Sequence, residues 1–177
     1  MLFRSHYRSP INYSRDLLLQ AQSSLERLYT ARDNAIFARE HAHEKPLQED
    51  EIAFKQRSEE AIRAFDTAMD DDLNTADAIG AIFDYIRDMN TILADSRDPS
   101  LATYNTALNT LRCMTDVLGL LRREADGVPE EIKQLVAQRT QAKKDKNFAL
   151  ADGLRAKVLE MGYVIEDTPK GAKVKKA

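Results

Sequence analysis

The chain has 177 residues, 43% of them hydrophobic, with a formal net charge of −3, one cysteine and no tryptophan. That is enough for one ordinary domain or a domain with a small appendage, and a lone Cys113 excludes a disulfide framework or a cysteine zinc site within the chain. No apolar run approaches the roughly 18 residues of a membrane span and no signal-peptide core opens the sequence, so a cytoplasmic protein without membrane contact is expected.

Ser9-Pro10 and Ile11-Asn12 mark a turn, and Ser14 is a good N-cap for a helix starting at Arg15. Leu17, Leu18, Ala21, Leu25, Leu28, Ala35 and Ile36 recur at helical spacing, which predicts a helix to about His43, ended by Pro46. A second helix is predicted from about Glu49, with Ile52, Ala61, Ile62, Phe65, Ala68 and Met69 on its apolar side, stopping at Asp70-Asp71-Asp72. Asn74 or Thr75 caps a third, carrying Ala78, Ile79, Ile82, Phe83, Ile86, Met89 and Leu93. Asp98 followed by Pro99 reads as an N-cap with proline at the first helical position, opening a fourth helix through Leu121. Cys113, inside that run, is expected to be a small core residue. Four amphipathic helices with short connections predict an antiparallel four-helix bundle.

Composition shifts at residues 124–128, around Gly127, and Pro129 restarts a helix through Ile132, Leu135 and Val136. Asn147 caps the next helix, which ends at Gly162 in the position of a C-terminal capping glycine. Tyr163-Val164-Ile165, a turn at Pro169-Lys170-Gly171 and Lys173-Val174-Lys175 predict a short hairpin. The fold class is thus mainly α: residues 1–13 as a junction, a bundle over 14–124, and a small α+β unit of two helices and a hairpin over 125–177.

Charge sets this last unit apart. Residues 127–177 hold eleven Lys and Arg against seven Asp and Glu, net +4, which leaves net −7 on residues 1–126. Arg139 and Lys143, four apart, project from one helix face; Lys144, Lys146 and Arg155 add cations, and Phe148 falls on the first turn after Asn147 with Asp152 one turn further on. Asp167 follows on the hairpin. Cations for phosphate, a ring for stacking and carboxylates for base amino groups are the chemistry that binds single-stranded nucleic acid. Taken alone, the same residues also fit a solvated face with Phe148 in the core.

Other constellations fail on spacing. Glu40-x-x-His43 lacks the second Glu-x-x-His of a di-iron bundle, and Asp70-x-Asp72-x-Asn74 lacks the glycine and terminal glutamate of a calcium loop; no metal is expected. There is no phosphate-binding Gly-rich motif and no nucleophile with a supporting histidine, so no catalytic residue is assigned.

Three segments, SHYRSPINYS at 5–14, FDTAMDDDLNTADAIGAIFDYIRDMN at 65–90 and AKKDKNFALADGLR…MGYVIEDTPKG at 142–171, together resemble the C-terminal part of bacterial-type cysteinyl-tRNA synthetases. The resemblance implies a DALR-type helical domain followed by an anticodon-binding domain. It implies a fragment whose parent joins cysteine to its tRNA with ATP, the nucleotide-binding fold and zinc ligands lying in a catalytic domain upstream. No cofactor is then expected in this chain; its partners would be the anticodon region of cysteine tRNA and that catalytic domain. Within the matching motif, anticodon reading falls to Lys143, Phe148, Asp152 and Asp167, and Arg4, His6, Tyr7 and Arg8 belong to the junction, close to the tRNA. Lys143 stands where the family often carries arginine, and lysine lacks the bidentate fork for a guanine edge; the end Val174-Lys175-Lys176 replaces the family's aromatic followed by arginines. Two rival expectations are a helical protein-interaction module that does not bind RNA, and part of a synthetase-related ligase acting on a small molecule.

Overall fold

The computed structural model describes Arg8 and residues 13–94, 98–122, 128–168 and 171–176. Among them the chain forms α1 (Arg15–Arg39), α2 (Glu49–Asp70), α3 (Thr75–Ile92), α4 (Leu101–Val117), α5 (Glu130–Lys144), α6 (Phe148–Glu160), β1 (Tyr163–Thr168) and β2 (Gly171–Lys176). It divides into two compact units, Met1–Arg122 and Arg123–Ala177. Helices followed by a two-helix unit with a hairpin are the fold class that periodicity predicts. Gly127, and Pro169 and Lys170 of the hairpin turn, lie outside the described residues.

In the first unit, local chemistry starts the helices. The Ser14 hydroxyl accepts the Leu17 N–H at 3.2 Å, and the Asn74 side chain accepts the Asp77 N–H at 3.2 Å, each satisfying a donor that a helix start leaves orphaned. Long-range contacts set the directions. Leu101 N–H, opening α4, donates to His43 O just past α1, and Arg32 of α1 donates to Leu121 O beyond the other end of α4; α1 and α4 are antiparallel. Glu51 near the start of α2 meets Ser100 and Thr103 at the start of α4, so these two run parallel.

The core runs through Leu28, Phe54, Phe65, Ile82, Met89, Leu111 and Met114, each nearly free of solvent and each contributing about 1.5–3 kcal/mol by burial. Tyr85 stands in its middle. Its ring stacks on Phe54 with centroids 5.9 Å apart, and its hydroxyl, held above its usual pKa by burial, donates to Ala107 O at 3.2 Å.

Several expectations are corrected. α1 stops at Arg39 instead of running to His43, because His43 gives its carbonyl to the start of α4. On α2, Ile52 is half exposed while Glu51 beside it is buried, since the carboxylate finds three donors inward. α4 begins at Leu101 with Ser100, not Asp98, as N-cap; the Ser100 hydroxyl accepts the Thr103 N–H at 3.2 Å, and Asp98 pairs with Lys45 instead. α4 also ends at Val117 rather than reaching Leu121, with left-handed Gly119 (φ 64°) just beyond it. Cys113 is exposed, because the rotation of α4 turns Leu111, Met114 and Thr115 inward.

In the second unit, Ile132 and Val136 of α5, Val158 of α6 and Ile165 of β1 form the core, with Val128, Leu135, Tyr163, Ala172 and Val174 packed against it. β1 pairs antiparallel with β2, Ile165 opposite Val174 and Asp167 opposite Ala172. Alternation along β1 therefore puts Asp167 on the same face as Ile165. Gly162, at φ 82°, makes the left-handed exit from α6 into β1 that an L side chain resists.

Candidate nucleic-acid interface

The interface is built at the corner between α5 and α6. After Lys144 the chain passes through Asp145 and left-handed Lys146 (φ 58°), and Asn147 N–H returns to Ala142 O at 2.8 Å. The Asn147 side chain then accepts the Leu150 N–H at 3.2 Å and starts α6. Phe148 is consequently the first helical residue, and its ring is 61% exposed. Ala151, Leu154 and Val158 occupy the buried face of α6; Phe148, Asp152 and Arg155, at i, i+4 and i+7, share an adjoining, exposed face. A large ring left on the surface of a helix start is free to stack, and the reading of Phe148 as core is overturned.

Asp167 is the second focus. Arg139, one turn before Lys143 on α5, grips its carboxylate with both terminal nitrogens, Nη1 to Oδ1 at 2.8 Å and Nη2 to Oδ2 at 2.9 Å. Lys143 Nζ adds a bond to Oδ2 at 3.1 Å. The fork from Arg139 and the bond from Lys143 outweigh partial burial and hold the Asp167 carboxyl well below its usual range; reciprocally, Asp167, and more weakly the charge of Asp152, keep Arg139 protonated against its burial.

Exposure separates these residues. The side chains of Lys143 and Asp167 are 42% and 49% exposed, that of Arg139 only 5%. Arg139, expected as a cation facing RNA, is therefore an internal partner of Asp167, drawn inward because the carboxylate satisfies it there. Lys144, Lys146 and Arg155 are exposed. The sequence reading missed this fork: Arg139 and Asp167 are 28 residues apart, and nothing local marks them as a pair.

Of the junction residues, Arg4, His6 and Tyr7 lie outside the described residues; Arg8 forms an ion pair with Asp72 at 3.0 Å. Among the described residues no group of three or more His, Cys, Asp or Glu could hold a metal ion, and no helix is long and apolar enough to cross a membrane. Chemically, the corner offers an exposed ring, two carboxylate acceptors and an exposed ammonium donor, flanked by further cations.

A family model for the DALR domain matches residues 64–122, and one for the cysteinyl-tRNA ligase anticodon binding domain matches residues 125–174. The chain is 38% identical over 177 residues to the cysteine–tRNA ligase of Lachnospira eligens. It is 37% identical to those of Clostridioides difficile and Caldicellulosiruptor saccharolyticus, over 176 and 178 residues. Each alignment takes in 99% of this chain but 37% of the relative, so the chain spans little more than a third of the length of these curated relatives. With one matched domain in each compact unit and similarity running from end to end, the chain combines a DALR domain with an anticodon-binding domain of the cysteinyl-tRNA ligase type.

Proposed function

We propose that this chain is a tRNA-binding part of a cysteine–tRNA ligase, and that its second unit reads anticodon bases of cysteine tRNA. The observation that carries the reading is Phe148, a 61% exposed ring at the head of α6, on one helix face with Asp152 in a unit that also presents Asp167 and Lys143. Phe148 stacks an unpaired base, which is worth about 1–3 kcal/mol. Asp152 and Asp167 accept from base amino or imino groups, Lys143 donates to a base acceptor, and Lys144, Lys146 and Arg155 neutralise phosphates. Arg8, with Arg4, His6 and Tyr7, supplies further tRNA contacts.

Aminoacylation belongs to the whole ligase. Its ATP and zinc are held outside this chain, in the cytoplasmic enzyme's catalytic domain, while this chain's residues bind and orient the tRNA. The test is binding of the chain to cysteine tRNA and to the same tRNA with a changed anticodon, at low and moderate salt. Tighter binding to the native anticodon is expected; equal, weak, strongly salt-dependent binding to both would reduce the unit to an electrostatic patch and sink the reading.

A further inference from the structure

Arg139 has no surface from which to reach a phosphate. Its side chain is 5% exposed, both terminal nitrogens are spent on Asp167, and its Nε is buried without a partner. The fork is end-on and leaves the buried Nε–H unmet, a cost that its two charge-assisted bonds offset. What the end-on grip does achieve is to fix the plane of the carboxylate. A carboxylate offers about four lone-pair positions. Arg139 takes one on each oxygen and Lys143 a second on Oδ2, so one acceptor position remains, on Oδ1, on a side chain half open to solvent.

We infer that Arg139 is a positioning residue for base reading: it touches no RNA, but orients Asp167 as a single directed acceptor. This rests on the anticodon-reading proposal above, and assigns Arg139 a role different from that of the surface cations.

The full chain is tested as wild type, Arg139→Met and Arg139→Lys, each verified as folded by circular dichroism, with three readouts. Carbon-13 NMR titration of the Asp167 carboxyl reports ionisation; binding to cysteine tRNA and its anticodon-changed counterpart reports discrimination; and the slope of log affinity against log salt reports phosphate contacts. In Arg139→Met the Asp167 midpoint is expected to rise by at least a unit and discrimination to fall about tenfold or more, with the salt slope unchanged. Arg139→Lys restores the charge without the fork, so ionisation recovers and discrimination does not. A slope lower by about one with discrimination intact would make Arg139 a phosphate contact. Discrimination within twofold of wild type in both folded variants would make the fork a structural strut, and either result overturns the inference. If wild type itself does not discriminate, the anticodon-reading proposal fails and the titration alone decides whether Arg139 sets the ionisation; unmoved midpoints overturn that too.

Discussion

The Glu51 carboxylate accepts a 2.6 Å hydrogen bond from the Thr103 hydroxyl across 52 residues of chain, and the same oxygen takes the Ser100 N–H at 2.7 Å. Its other oxygen takes the Gln48 N–H at 2.9 Å. One buried anion thus clasps the starts of α2 and α4, where two helix dipoles and their orphaned N–H groups favour negative charge. Burial alone would raise this carboxyl, but bonds from Thr103, Gln48 and Ser100 lower it from 4.5 to about 2.

Because the folded value lies below the unfolded one, the stabilisation is complete above about pH 4.5 and is lost as pH falls toward 2. Glu51→Gln is expected to cost about 2–3 kcal/mol at pH 7. Urea denaturation at pH 7 and at pH 2.5 checks this: the gap between variant and wild type closes at the lower pH if charge is the cause, and persists if packing is.

Cys113 is exposed on α4. A thiol reagent should label it in the native protein at nearly the rate of a free peptide thiol, without prior unfolding. Cys113→Ser should shift stability by less than about 0.5 kcal/mol. Native-state protection of the thiol would put it back in the core.

Phe148→Ala removes a ring that packs little against the fold, so the thermal midpoint should barely move. Affinity for cysteine tRNA should fall by about 1–3 kcal/mol, the stacking contribution of one base. Fluorescence anisotropy together with a thermal melt separates the two effects. A large drop in midpoint with unchanged affinity would make the ring structural.

Lys143 donates one bond to Asp167 and is partly exposed. Lys143→Arg should keep overall affinity and sharpen anticodon discrimination, because a guanidinium adds a second, geometrically fixed donor worth about 1–3 kcal/mol against the wrong base. Competition binding with anticodon variants measures it; an unchanged ratio would mean that position 143 contacts phosphate.

The Asp167 carboxyl is held below its ordinary 3.8, chiefly by the Arg139 fork. A depressed carboxyl is ionised throughout the range above that value, so any discrimination it provides should be flat between pH 5 and 8. Binding ratios measured across that range check this, and a fall toward pH 5 would point to another titrating group.

Features whose cause lies within one turn were legible in the sequence. Ser14, Asn74 and Asn147 are where helices start, and Gly162 is where α6 ends, because a cap or a left-handed exit is decided by the side chain and backbone at that spot. Phe148 and Asp152 share one exposed face for the same reason: a single helix start at Asn147 fixes both.

Only the tertiary structure decided which of two neighbours faces inward. The apolar stripe of α2 tolerates some rotation about its axis, and the turn that buries Glu51 and exposes Ile52 is set by donors on α4. The same holds for Cys113 against Met114, for Ser100 against Asp98 as cap, and above all for Arg139. Periodicity places that residue on a face with Lys143, but whether a cation turns toward solvent or toward a carboxylate 28 residues away depends on how β1 lies against α5. Local propensity carries no information about a partner that only folding brings within 2.8 Å.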